Sequence, residues 1–77
     1  MLKQLIDIIC EFVEVEPDEI NARSSLRNDI GATSFDLMNI AVEIERSFRI
    51  RVPDERLPLI KTVGDIAALI ETARGRA

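Results

Sequence analysis

Apolar side chains recur at helical spacing in three separate stretches of this chain, with prolines standing between them. That pattern leaves a small helical bundle as the fold to expect. The first stretch, Leu2 to about Val15, sets Leu5, Ile6, Ile9, Phe12 and Val13 on one stripe, with Lys3, Asp7, Glu11 and Glu14 on the other side. Pro17 stops it, because the residue before a proline is pushed out of the α region. The second begins near Ser34, aligns Leu37, Ile40, Ala41, Ile44 and Phe48, and must end before Pro53. The third opens at Thr62, aligns Val63, Ile66, Ala67, Leu69, Ile70 and Ala73, and ends at Gly75, with Ala73 to Ala77 reading as a frayed tail. Thr33 and Asp36, and again Thr62 and Asp65, stand three apart at the helix starts, each pair reading as a capping box with Asp in the usual Glu position.

The segments between these helices read differently. Pro17 to Thr33 is a long loop in which Ile20, Leu26 and Ile30 are spaced widely enough to pin it onto the helices. A loop of that length in so small a domain is a place to expect function. Phe48-Arg49-Ile50-Arg51-Val52 alternates apolar and basic residues, which predicts a short extended link with Arg49 and Arg51 outward. Asp54 to Leu57 reads as a single turn that Pro58 keeps from growing. The expected architecture is all-α: a small four-helix bundle in one domain spanning 1–77, with three main helices, one short helix and a long loop between the first two helices.

Composition narrows the chemistry. With 77 residues the chain can bury one thin core and no deep active-site cavity beside it. It has no His, Trp or Tyr, so the usual general base at neutral pH and the usual imidazole metal ligand are missing. A single Cys rules out a disulfide framework within the chain. Cys10 lies near the first core stripe and reads as a small buried hydrophobe, and Phe12 and Phe48 read as core packing. An autonomous enzyme is not expected. The net charge of -4 argues against nucleic acid or an anionic membrane as partner. No apolar run reaches the ~18 residues of a membrane span and no signal segment is evident, so a cytoplasmic setting is expected. The charge is uneven, since most acids precede Arg46 and most bases lie at or beyond it.

One stretch stands apart, Asp29-Ile30-Gly31-Ala32-Thr33-Ser34-Phe35-Asp36-Leu37, where a glycine-bearing turn leads into a helix that begins with a serine. Unpaired amides and the positive dipole end of a helix favour a nearby anion. A phosphate ester on Ser34 gains roughly 0.3–1 kcal/mol from that field at an exposed position. The plainer reading of the spacing is that Ser34 or Thr33 is only an N-cap. Elsewhere, Asp18/Glu19 and Asp54/Glu55 read as solvated turn residues beside prolines, and no serine or cysteine has a His partner.

The Gly31–Leu37 stretch resembles the Gly-x-Asp-Ser-Leu attachment motif of acyl carrier proteins. Asp29-Ile30-Gly31 is similar to the family's Asp-Leu-Gly ahead of the serine. Glu43-Ile44-Glu45-Arg46-Ser47-Phe48 is similar to the Glu-rich end of its helix II, Val52-Pro53-Asp54-Glu55 to its Ile-Pro-Asp-Glu link, and Ile60-Lys61-Thr62-Val63 to the entry of its last helix. The similarity runs along essentially the whole chain in the family's order.

The resemblance implies that Ser34 carries 4′-phosphopantetheine, transferred from coenzyme A by a separate phosphopantetheinyl transferase. The arm's thiol would then hold acyl groups as thioesters for acyl-transferring or synthase enzymes of fatty-acid, lipid or polyketide metabolism. It also implies a monomer that catalyses nothing, and a partner-binding side of helix II formed by Phe35, Asp36, Met38, Val42, Glu43 and Glu45.

The chain departs from the family pattern at several positions. Thr33 replaces the usual Asp before the serine and Phe35 the usual Leu after it; Asn39 and Arg46 stand where acids are common. Charge at a docking surface sets encounter rate and discrimination, so these departures imply a specialised carrier with dedicated partners. Two other readings stay open. One is an aminoacyl or peptidyl carrier, whose usual Gly-Gly-x-Ser flavour Ala32-Thr33 does not match. The other is an unmodified helical interaction module in which Ser34 is only an N-cap. Separately, Met38 and Val42 also read as peripheral core in place of a partner-facing pair.

Overall fold

The structure, a computed structural model, describes residues 1–75. Its first helix, α1, runs Leu2–Phe12 and buries Leu5, Ile8 and Ile9. Ile6, Phe12 and Val13 pack against the core only in part, so the buried stripe is rotated toward Ile8 from the one read in the sequence. The helix also stops three residues short of Val15. Val13 is already extended (φ -132°, ψ 149°), as suits the β-branched residues at 13 and 15.

The stretch expected to be a plain loop contains more. Glu16 is extended and Pro17–Glu19 closes one 3₁₀ turn. Ile20, Leu26 and Ile30 are buried as the sequence suggested, and so is Ser24, whose hydroxyl accepts the Asn21 amide at 2.9 Å. The loop is also stitched to the start of the last helix. Leu26 N–H donates to Lys61 C=O at 2.9 Å, Val63 N–H to Ser24 C=O at 3.1 Å and Gly64 N–H to Ala22 C=O at 2.8 Å. Ser25 and Thr62 form an isolated antiparallel bridge within this seam. The approach is so close that a Cβ on Gly64 would sit 2.9 Å from the Ala22 carbonyl oxygen.

The second helix, α2, spans Ser34–Phe48, buries Ile40 and Ile44, and packs against α1. It ends on Arg49 in the left-handed conformation (φ 56°, ψ 50°), not on an extended residue. Arg49 and Arg51 do point outward, while Val52 turns in to the core. The next segment also departs from expectation: a 3₁₀ helix covers Asp54–Leu59 and passes through Pro58. Pro58 occupies the second position of the turn that Ile60 N–H closes on Leu57 C=O at 3.2 Å, a place that suits its fixed φ.

The last helix, α3, runs Val63–Gly75 and buries Val63, Ile66 and Ile70. Its capping box is present: Thr62 Oγ1 accepts Asp65 N–H at 3.2 Å and the Asp65 carboxylate accepts Thr62 N–H at 3.0 Å. Ala73 to Gly75 are helical, so the frayed tail does not begin at Ala73; its last two positions lie outside the described residues. Arg74 places its guanidinium 5.9 Å from the Phe48 ring centre, joining the ends of α2 and α3. Three main helices and the short one at Asp54–Leu59 make the small all-α bundle that the sequence implied.

Candidate functional site

Inward Ile30 and Ala32 alternate with outward Gly31 and Thr33, so the loop is held against the core up to the first turn of α2. Gly31 takes φ 79°, a conformation costly for any side-chain-bearing residue, and so turns the chain into the helix. Thr33 is the N-cap. Its Oγ1 accepts Asp36 N–H at 3.1 Å, and the Asp36 carboxylate returns the contact by accepting Thr33 N–H at 3.0 Å. The reading in which Ser34 caps the helix is therefore corrected: Ser34 is the first helical residue. Its exposed hydroxyl is not used by the cap and accepts a hydrogen bond from Arg27 Nη2 at 2.9 Å.

The residues expected to meet partners separate into two groups. Phe35, Met38 and Val42 are 72%, 59% and 56% exposed, which excludes peripheral core for Met38 and Val42. With 3.6 residues per turn they share the outward face with Arg46. The carboxylates are not gathered beside them. Asp36 and Glu43 fall on one flank of α2 and Glu45 on the other, and each is engaged within the chain. Glu43 accepts Ser47 Oγ–H at 3.1 Å and lies 3.6 Å from Arg46. Half-buried Glu45 accepts Val52 N–H at 2.7 Å and so ties the basic link back onto α2.

Two hollows flank the serine-bearing helix. One is an apolar cleft between α2, the 3₁₀ segment and α3, walled by Leu37, Ala41, Leu57, Ile60 and Leu69 among others. Its void is about 20 Å³, room for about one water-sized sphere. The other is an open groove of about 260 Å³ lined by Arg27, Ser34, Leu37, Met38, Leu57 and Pro58. Among the described residues that line it, Ser34 and Arg27 supply the side-chain hydrogen-bond donors.

Cys10 is half-buried, not fully buried, and its S–H donates to Val15 C=O at 3.3 Å. Burial, then the charges of Asp7 and Glu16, push its pKa up, so it stays a thiol and a poor nucleophile. Among the described residues, no group of three or more His, Cys, Asp or Glu is placed to hold a metal ion, and no helix is long and apolar enough to cross a membrane. Sequence reasoning missed Arg27 at the serine and Glu45 as a brace. Periodicity could flag neither, because both contacts span seven residues across irregular backbone.

The family model for a phosphopantetheine attachment site matches residues 3–70. The chain belongs to the acyl carrier protein family. It is 38% identical over 71 residues to an acyl carrier protein of Bdellovibrio bacteriovorus, covering 92% of this chain and 90% of that one. It is 36% identical over 75 residues to one from Prochlorococcus marinus, covering 97% and 94%. A solved structure of a candidate acyl carrier protein from Mycobacterium tuberculosis superposes with a TM-score of 0.82 at 26% identity, over 94% of this chain and 97% of that one. The family resemblance read in the sequence and the all-α bundle are thus both met.

Proposed function

We propose that this carrier-family chain holds acyl groups as thioesters on a 4′-phosphopantetheine arm joined to Ser34 Oγ. The observation that carries the reading is the Ser34 hydroxyl itself: exposed, at the start of α2, and left free of the cap by Thr33. The residues present fit the group. An exposed oxygen is open to an external transferase, Arg27 and the helix end supply positive potential for a phosphodiester, and the neighbouring groove is apolar enough to lie along. When bound, the arm supplies a terminal thiol on which acyl cargo is held and moved between enzymes at high effective concentration.

The transferase joins the arm from coenzyme A: the Ser34 Oγ–P bond forms, the pyrophosphate bond breaks, adenosine 3′,5′-bisphosphate leaves and the hydroxyl proton goes to a base on the transferase. The chain's own residues position and shelter; they catalyse nothing. Gly31, Thr33 and Asp36 fix the first turn of α2, and the apolar groove that Ser34 itself lines runs beside it. The cleft walled by Leu37, Ala41, Leu57, Ile60 and Leu69 is a second apolar space, sharing Leu37 and Leu57 with that groove, toward which a cargo chain can turn.

Partners are the transferase and acyl-transferring or synthase enzymes of fatty-acid, lipid or polyketide biosynthesis, met by a cytoplasmic monomer through α2. Phe35, Met38 and Val42 form the contact, with Asp36, Glu43 and Glu45 at its flanks. The placing of those carboxylates on the flanks and the outward Arg46, paired with Glu43, support a specialised carrier, since a partner with a basic patch meets a like charge on the face between them.

The test is intact mass after incubation with coenzyme A and a broad-specificity transferase, with Ser34→Ala in parallel. A gain of one phosphopantetheine on the wild-type chain alone is expected. No gain with any of several transferases would favour an unmodified interaction module.

A further inference from the structure

We infer that Arg27 is the positioning residue that holds the phosphodiester on Ser34 and so sets the direction in which the arm leaves the protein. The inference rests on the carrier reading above and deepens it. Arg27 sits in the loop seven residues before the serine, exposed, with its Nη2 2.9 Å from Ser34 Oγ. Among the described residues no carboxylate lies within 4.0 Å of its guanidinium, and Asp29, the nearest acid in sequence, is turned to the Ser25 amide at 2.7 Å. The one side-chain hydrogen bond that Arg27 makes among the described residues uses a neutral hydroxyl and leaves most of its five donors without a partner among them.

A phosphodiester on Ser34 Oγ brings an anion to within reach of that planar fork, and guanidinium pairs with such oxygens through two parallel N–H bonds. No other side chain of the groove competes, since Leu37, Met38, Leu57 and Pro58 have no donor to offer. The arm therefore starts with its phosphate against Arg27 and its apolar part toward Met38, Leu57 and Pro58.

The experiment compares wild-type, Arg27→Met and Arg27→Lys chains before and after loading from coenzyme A, with loading of each first verified by intact mass. Melting temperature and the ³¹P shift of the loaded chain are read across a sodium chloride series, along with the Arg27 Nε–H resonance of the wild type. Loading should raise the wild-type melting temperature by an increment that shrinks with salt, and should move the Arg27 resonance. Arg27→Met should load yet lose the increment and its salt dependence. Arg27→Lys should keep part of the increment, as a point charge without the fork. An Arg27→Met chain with the wild-type increment and ³¹P shift would overturn the inference. Should that variant load poorly, the wild-type resonance decides alone: unmoved on loading, it overturns the assignment. Failure of the wild-type chain to gain any mass is a separate result, which removes the carrier reading and this inference with it.

Discussion

At the scale of single residues, position 34 separates chemistry from stability. Thr33 makes the capping contacts and Ser34 makes none of them, so the two neighbours respond differently to loss of a hydroxyl. Ser34→Ala should abolish the mass gain while changing unfolding free energy by less than about 0.5 kcal/mol, as for a surface substitution away from a cap. Thr33→Ala should cost about 0.5–2 kcal/mol and still load; denaturant melts and intact mass read both. Read in the sequence alone, the capping cost falls on either residue, and only the hydrogen bonds assign it. Asp65 carries the residue-scale pH dependence. Hydrogen bonds from the Lys61 and Thr62 amides hold its carboxyl below its ordinary value of 3.8. A depressed folded-state pKa means a contribution that is present above the unfolded value and lost as pH falls through the folded one. Asp65→Asn should therefore lower the melting temperature most near neutrality, and the gap to wild type should close as the pH is taken below about 3.8.

At the scale of elements, the seam between the long loop and the entry of α3 decides how the serine is presented. Ala22, Ser24 and Leu26 are bound to residues 61–64 by backbone hydrogen bonds, which holds the loop from behind while Ile30 and Ala32 hold it from below. Gly64 makes that approach possible, since the atom facing its missing Cβ is a backbone oxygen that no rotamer change can move. Gly64→Ala should destabilise the bundle by roughly 1–3 kcal/mol, as overpacking does. Amide exchange should speed up at Leu26 and Val63 before it does in α1; unchanged exchange at both would mean the loop stands without the seam. The helices themselves were legible because three stripes of apolar side chains carry their period in the sequence. The 3₁₀ turn at Pro17, the left-handed Arg49 and the passage through Pro58 were not, because each depends on where the next element has to go.

At the scale of the whole molecule, one core joins residues from all three α-helices and the long loop, with Leu5, Ile9, Leu26, Ile40, Val63 and Ile70 almost fully shielded. Ile44, 2% exposed between this core and the apolar cleft, belongs to both. Ile44→Ala should cost roughly 2–5 kcal/mol in a denaturant melt; an unchanged midpoint would mean that the void is readily filled by its neighbours. The cleft is closed in this structure, with room for about one water-sized sphere. Sheltering even a short acyl chain there requires α2 and the Asp54–Leu59 segment to move apart.

The sequence by itself determined the helical class, the three main helices, both capping boxes, the serine-bearing turn and the family. All but the family are local: helical period, proline and glycine punctuation, and a hydroxyl three residues from a carboxylate act within one or two turns of chain. The family is read instead from motifs in order along the whole chain. Tertiary structure alone decided that Arg27 meets Ser34, that Glu45 braces Val52 and leaves the outward face of α2 to Phe35, Val42 and Arg46, and that the loop is sewn to α3 at Gly64. Those contacts join residues whose separation along the chain has no period to read, and they exist only because burial of a shared core brings irregular segments to fixed positions beside the helices.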